Sequence, residues 1–249
     1  MDETTHRLLI VCGPSNVGKS PLRDVLEDEF PDLTLESPVL YNSRAPRPDE
    51  EDGVDYHFRS EEEIEELEDE DGFLVVEIED TFEAVDVGEL AEMLGESDVI
   101  YEGNPAIGLG LQEREELEGF DIIDVFISPL DRSEVEAFQD THVGLEPLLK
   151  DLSRRRLLRR KAGSRPFLSL PDLEDVEDRA ERAYKDLQQA PRFTWVLPNH
   201  DGEDSEHWQA FPHPIGDARK AVYAVAGLLR GEESDILERW PEDLFDSAD

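Results

Sequence analysis

Cysteine, lysine and long apolar runs are what this sequence has least of. A single cysteine, Cys12, stands among 249 residues. It excludes an internal disulfide, and a reducing cytoplasm is the expected home. The longest apolar stretch, around Ala221–Leu229, falls short of the roughly 18 residues a membrane span needs, so no membrane partner is expected. Strand-like residues begin at Arg7, which leaves no expected room for a signal peptide. Lysine occurs only 5 times, beside 19 arginines and against 64 acidic residues, for a formal charge of −40. So large an excess opposes compaction in dilute buffer. At molar salt the Debye length falls to about 3 Å and most of that cost disappears. The acids are spread along the chain and alternate with ordinary core patterning, which favours a surface adapted to a salt-filled cytoplasm over an acidic interaction protein. Phosphate-rich polymers would be repelled in either case, so no nucleic-acid partner is expected. At 38% hydrophobic the chain can bury a core, and its length suits one large domain or a core with inserts.

The chain opens on Arg7-Leu8-Leu9-Ile10-Val11-Cys12, a continuous apolar run suited to a strand buried on both faces. A glycine loop at 13–20 follows, then Leu22, Val25, Leu26 and Phe30 at helical spacing, with Pro31 ending the helix. The text from Ser37 to Asp55 is turn-rich. Ser60-Glu61-Glu62-Glu63 reads as a capping box, after which Glu61–Asp71 presents a solvated helix face. Phe73–Ile78 reads as a strand. Alternation then resumes: a helix over Val87–Leu94, a strand over Asp98–Glu102, a helix over Ala106–Leu117 and a buried strand over Ile122–Ile127. A helix begins near Asp131. Asp172–Gln189 reads as a charged helix, Phe193–Leu197 as a last strand and Asp217–Arg230 as a closing helix. Strands separated by helices in this order predict an α/β fold of three layers, a parallel sheet with helices on both faces.

Gly13-Pro14-Ser15-Asn16-Val17-Gly18-Lys19-Ser20 fits the phosphate-loop pattern G-x-x-x-x-G-K-[ST] completely. Backbone N–H groups of such a loop converge on the β-phosphate of a nucleotide, Lys19 would reach the β- and γ-phosphates, and Ser20 would be the Mg²⁺ ligand. A chance match over this length is on the order of 1%. Asn16 stands where glycine is common, tolerable because asparagine enters the left-handed conformation cheaply.

Asn42-Ser43-Arg44-Ala45-Pro46-Arg47-Pro48 and Asp52-Gly53-Val54-Asp55-Tyr56-His57-Phe58 complete a second pattern. Together with the phosphate loop they resemble guanylate kinase, most strongly over residues 7–74. The resemblance implies a single P-loop kinase domain over 1–249, with an inserted acceptor-binding subdomain at 37–86, a lid at 150–170 and an acidic tail at 231–249. It implies that Arg44, Arg47 and Tyr56 hold the acceptor phosphate, a task that suits guanidinium forks, and that Glu50 is the acceptor-binding glutamate of the same loop. Arg160 and Arg179 match the two lid-region arginines that reach the transferring phosphoryl group, and Asn199 matches an asparagine beside the adenine. Departures cluster in the guanine pocket. Leu40 stands where serine is expected and Val75 where glutamate is expected. Glu77 or Glu79 could substitute for that glutamate, Glu102 is the candidate acid of its strand, and Thr81–Val85 has no counterpart to the family's Asn-Tyr-Tyr-Gly.

Seven basic residues crowd 154–165. Most are expected to pair with acids at 172–181, and one or two to do lid chemistry. The spacing of His200, His207 and His213 justifies no metal site, and ordinary polar loop residues are favoured there. Ile236, Leu237, Trp240, Leu244 and Phe245 of the tail could dock on the body. The sequence thus predicts an ATP-dependent kinase, monomer or homodimer, using Mg²⁺ and a nucleoside monophosphate, GMP or dGMP first. The rival readings are a kinase of the same architecture acting on another phosphorylated small molecule, and a non-catalytic binding module. The intact Lys19 and Ser20 speak against the module.

Overall fold

The computed structural model describes residues 6–47, 50–78, 81–139, 141, 144–164 and 167–246. Pro48, Glu79 and Arg165 lie outside the described residues. In chain order the strands are β1 (Arg7–Cys12), β2 (Leu35–Glu36), β3 (Leu40–Asn42), β4 (Tyr56–Phe58), β5 (Phe73–Ile78), β6 (Thr81–Asp86), β7 (Asp98–Gly103), β8 (Asp121–Ser128) and β9 (Trp195–Pro198). The α-helices are α1 (Lys19–Glu29), α2 (Glu61–Glu65), α3 (Val87–Leu94), α4 (Pro105–Gln112), α5 (Arg132–Gln139), α6 (Leu145–Ser164), α7 (Leu170–Leu187) and α8 (Gly216–Leu229). A five-stranded sheet runs in the order β2-β7-β1-β8-β9, and a four-stranded sheet in the order β4-β3-β6-β5.

Helices flank the first sheet, as alternation of strands and helices requires. Leu8 to Cys12 of β1 are completely buried, which is why that strand reads as unbroken apolar sequence. Four strands escape the sequence pattern. β2, β3 and β4 have two, three and three residues, too short for alternation to register. β6 follows β5 after only two residues and pairs with it from Phe73↔Asp86 to Ile78↔Thr81. The helix expected over Ala106–Leu117 stops at Gln112, and a 3₁₀ turn covers Glu115–Leu117.

The chain divides into two compact units, Met1–Ile10 with Thr34–Ile123, and Val11–Leu33 with Asp124–Asp249. In the first, β2 and β7 pair in parallel, and α2 starts on the expected capping box, Ser60 with Glu63. Only Ile64 of α2 is buried, so its acids form a solvated face as predicted. In the second, β8 and β9 pair in parallel with Val125 opposite Trp195, and α1 packs on α8. Each fully buried leucine there, such as Leu22 or Leu26, contributes about 1.5–3 kcal/mol. Helices α6 and α7 form an antiparallel pair laced by ions: Lys150 to Glu181 at 2.5 Å, Arg154 to Glu177, and Lys161 to Asp175 at 2.8 Å. The C-terminal segment docks on this unit. Glu238 exchanges two backbone hydrogen bonds of 2.8 Å with Val196, and Trp240 and Leu244 are buried.

Candidate functional site

The phosphate loop lies in the second unit, between the end of β1 and the start of α1. Gly18, at φ 102°, makes the turn into the helix. A Cβ there would stand 2.6 Å from the Trp208 ring and 2.7 Å from Asn199 Nδ2, so only glycine fits. Lys19 folds back over the loop and donates to the carbonyls of Gly13 at 3.0 Å and Pro14 at 2.9 Å. Val17 is buried within the loop. Ser20 is the second residue of α1, the helix whose N-terminal dipole favours anions.

The predicted donor-site residues divide on inspection. Arg179 reaches the loop, its Nε donating to Ser15 Oγ at 3.1 Å. Arg160 pairs with Glu203. Asn199, expected beside adenine, lies against the loop. It is fully buried, and its amide donates to Val17 O at 2.7 Å and Asp201 O at 2.8 Å. The first bond braces the phosphate loop and the second ties Asn199 to its own turn. The crowded bases of α6 only partly satisfy the expected pairing with 172–181. Arg154 and Lys161 find acids there, whereas Arg159 pairs with Asp204 at 2.9 Å and Arg156 donates to His200 O at 2.7 Å. His200 sits between Glu134 and Asp217, at 2.8 Å from each. Burial works against its charge, but the two carboxylates prevail and raise its pKa. Among the described residues no group of three or more His, Cys, Asp or Glu side chains is placed to hold a metal.

The acceptor residues belong to the first unit, and four of them converge. Arg44 donates to both oxygens of Glu50, at 2.6 and 2.7 Å. The Arg47 backbone donates to Glu50 at 2.7 Å and its guanidinium at 3.3 Å. The Arg44 guanidinium lies over the rings of Tyr56 and Phe58, 5.0 and 5.4 Å from their centroids. Burial disfavours the charged form of Arg44, but Glu50 outweighs it and raises the pKa; the same burial on Glu50 is outweighed by Arg44, which lowers it. Burial, then Glu83, raises the pKa of Tyr56, so its phenol stays protonated and can donate. Glu50 holds both guanidinium groups beside the Tyr56 hydroxyl, so donors suited to an anion are gathered before any ligand arrives.

Strand register decides the rest. Leu40 pairs with Tyr56, Asn42 with Phe58 and with Glu83, and Glu83 with Val76, so these side chains share one face. Val75 and Glu77, one residue out of phase with Val76, point to the other face together with Tyr41 and His57. Glu77 is exposed there. It cannot join the Arg44–Tyr56 cluster, which corrects the expectation for it. The acid that is on the cluster's face is Glu83, which accepts from Asn42 Nδ2 at 2.9 Å while Asn42 Oδ1 accepts from the Arg44 backbone at 2.9 Å. Alternation in Thr81–Asp86 was the signal that could have found it. Glu102 stands half-buried near the carboxyl end of β7.

A phosphate loop between β1 and α1 of a helix-flanked parallel sheet defines a P-loop α/β protein, and the second sheet carries the arginine cluster. Residues 5–84 match the family model described as Guanylate kinase. Guanylate kinases of Latilactobacillus sakei and Corynebacterium diphtheriae are each 48% identical, over 68 and 63 residues, which is 27% and 25% of this chain and 32% of each relative. The chain thus matches about a third of the length of these relatives. The crystal structure of guanylate kinase from Anaplasma phagocytophilum superposes with TM-score 0.54 at 16% identity, covering 94% of this chain and 89% of that one. By these matches residues 5–84 are similar to guanylate kinases, and the chain as a whole shares that fold.

Proposed function

We propose that this protein is an ATP-dependent phosphotransferase that moves the γ-phosphoryl group to the phosphate of a nucleoside monophosphate, GMP or dGMP first, in a salt-rich cytoplasm. The observation that carries the reading is the Arg44–Glu50–Arg47–Tyr56 cluster, a preorganised anion site, in a chain that also holds a complete phosphate loop. Loop N–H groups and the start of α1 bind the donor's phosphates. Lys19 exchanges the carbonyls of Gly13 and Pro14 for phosphate oxygens. Arg179, beside Ser15, is placed to offset charge on the transferring group, and such a cation is worth about 10³–10⁵ in rate. Arg160, held by Glu203, would have to leave that partner to take a similar part. The donor set fits Mg²⁺, a hard cation that takes a hydroxyl from Ser20 and completes its shell with waters and phosphate oxygens; when bound, the ion neutralises charge on the β- and γ-phosphates. The chain's contribution is position and charge, with no covalent enzyme intermediate.

Arg44, Arg47 and the Tyr56 hydroxyl hold the acceptor phosphate. Glu83, on the same face, supports guanine as the base, because a carboxylate accepts from the N1–H and 2-amino groups that guanine presents together and adenine does not. An ATP-coupled assay in concentrated KCl over GMP, dGMP, AMP, UMP, CMP and sugar phosphates tests this. Turnover of GMP and dGMP above the rest is expected. Turnover of a sugar phosphate alone would establish the other-acceptor reading, and nucleotide binding without turnover of any acceptor would establish the binding module.

A further inference from the structure

Asn16 occupies a position where this loop pattern commonly carries glycine, and phosphate binding gives its side chain no task. The side chain is nonetheless enclosed: Asn16 is 1% exposed and holds a left-handed backbone at φ 66°. Its Nδ2 donates to Asp204 Oδ1 at 3.1 Å, and its backbone carbonyl accepts from Glu203 N at 3.3 Å. Asp204, with its side chain 8% exposed, also pairs with Arg159 Nε at 2.9 Å. Segment 202–204 presses directly on the loop. A Cβ on Gly202 would lie 2.7 Å from both Asn16 O and Asp204 Oδ1.

We propose that Asp204 is a positioning residue that ties Arg159 of α6 to Asn16 and thereby holds the phosphate loop in its binding shape. A carboxylate this close to a polyphosphate site repels the ligand, so its value lies in geometry, not in contact with the donor. The hydrogen bond to Asn16 compensates for a non-glycine residue in left-handed conformation. Arg159 is mostly exposed, and its ion pair adds little by itself. The donor-site part of the proposed function underlies this inference, since the effect is read as nucleotide affinity.

The test is calorimetric titration of ADP with Mg²⁺ into the full chain in concentrated KCl. The proteins compared are the unmodified one, Asp204→Ala, Asp204→Asn, Asn16→Gly and the double variant Asn16→Gly/Asp204→Ala, with acceptor KM measured alongside. Losing a hydrogen bond to a charged group predicts that Asp204→Ala weakens ADP about tenfold or more while acceptor KM stays put. Asp204→Asn, which keeps an oxygen acceptor for Asn16, should bind within about threefold of the unmodified protein. In the Asn16→Gly background, Asp204→Ala should cost nothing further, because coupled residues are non-additive. Unchanged ADP affinity in Asp204→Ala, equal damage from Asp204→Asn, or additive losses in the double variant would each overturn the inference while leaving the kinase reading in place. If Asp204→Ala does not fold, the Asn16→Gly and Asp204→Asn pair carries the same comparison, and weakening by Asp204→Asn equal to that by Asn16→Gly overturns the idea. An unmodified protein that binds no ADP would bring down this inference together with the donor site.

Discussion

Replacing Arg44 should damage the protein in two separable ways. Its guanidinium is held before any ligand arrives, by two hydrogen bonds to Glu50 and by the rings of Tyr56 and Phe58. Loss of a hydrogen bond to a charged ligand costs roughly 1.5–3 kcal/mol, so Arg44→Ala should weaken GMP by about 10- to 150-fold. It should also strand Glu50, whose side chain is 13% exposed against 21% for Arg44. Breaking a fully buried pair costs about 3–5 kcal/mol, and partial exposure brings the expected loss here to about 1–3 kcal/mol. Arg44→Lys keeps the charge without the two-pronged geometry and should fall between. Arg47 is the control. It is half exposed, and its single ion pair with Glu50 is long at 3.3 Å, so Arg47→Ala should weaken GMP while moving the melting temperature little. Titration with GMP and thermal melts at one KCl concentration read both quantities. A folded Arg44→Ala protein that binds GMP within about twofold of the unmodified chain would refute the assignment of this cluster.

Three further outcomes are expected. Lys19→Ala should abolish ATP-dependent transfer with the fold intact, since it removes a point charge from the transferring phosphates; turnover like that of the unmodified protein excludes the kinase reading. The melting temperature should rise between 0.1 and 2 M KCl as screening relieves the net charge of −40, and a flat response would remove the case for salt adaptation. Glu177, hydrogen-bonded by Arg154 and then Lys150, is held down at a pKa of about 2. Its folded pKa lies below its unfolded one, so its stabilising share is complete above the ordinary glutamate range and is lost as pH falls through about 2. A carboxyl NMR titration of Glu177 with its midpoint at the ordinary glutamate value would contradict the α6–α7 pairing.

What could be read from the sequence depended on whether a feature is local. The phosphate loop, the capping box at Ser60–Glu63 and the helix over Val87–Leu94 are each specified by a few consecutive residues, and each appears where the residues place it. The strands of the five-stranded sheet announce themselves wherever they are long and buried, as in β1 and β8. The partners of Arg159 and Arg160 were not legible, because Glu203 and Asp204 lie more than forty residues away on a turn with no periodic signature. Nothing local marks Asn199 as a brace for Val17; its complete burial and its hydrogen bond to Val17 O show it.

The positions expected to read the base divide for a different reason, and the reason bears on how they could be engineered. A strand has period two, so a motif position transferred by alignment carries its chemistry only if the register carries over too. Here Val76, not Val75, pairs with Glu83 and faces the side that holds Asn42, Tyr56 and Arg44. Installing a glutamate at Val75 would therefore place a carboxylate beside Tyr41 and Ala84, on the wrong side of the sheet, and Ala84 is fully buried. An unpaired charge there costs stability and gains no contact with the acceptor. Leu40 is different, because its pairing with Tyr56 puts it on the acceptor face. The departures from the family pattern are thus unequal: Leu40 shares a face with Asn42, Tyr56 and Glu83, whereas Val75 lies on the opposite face.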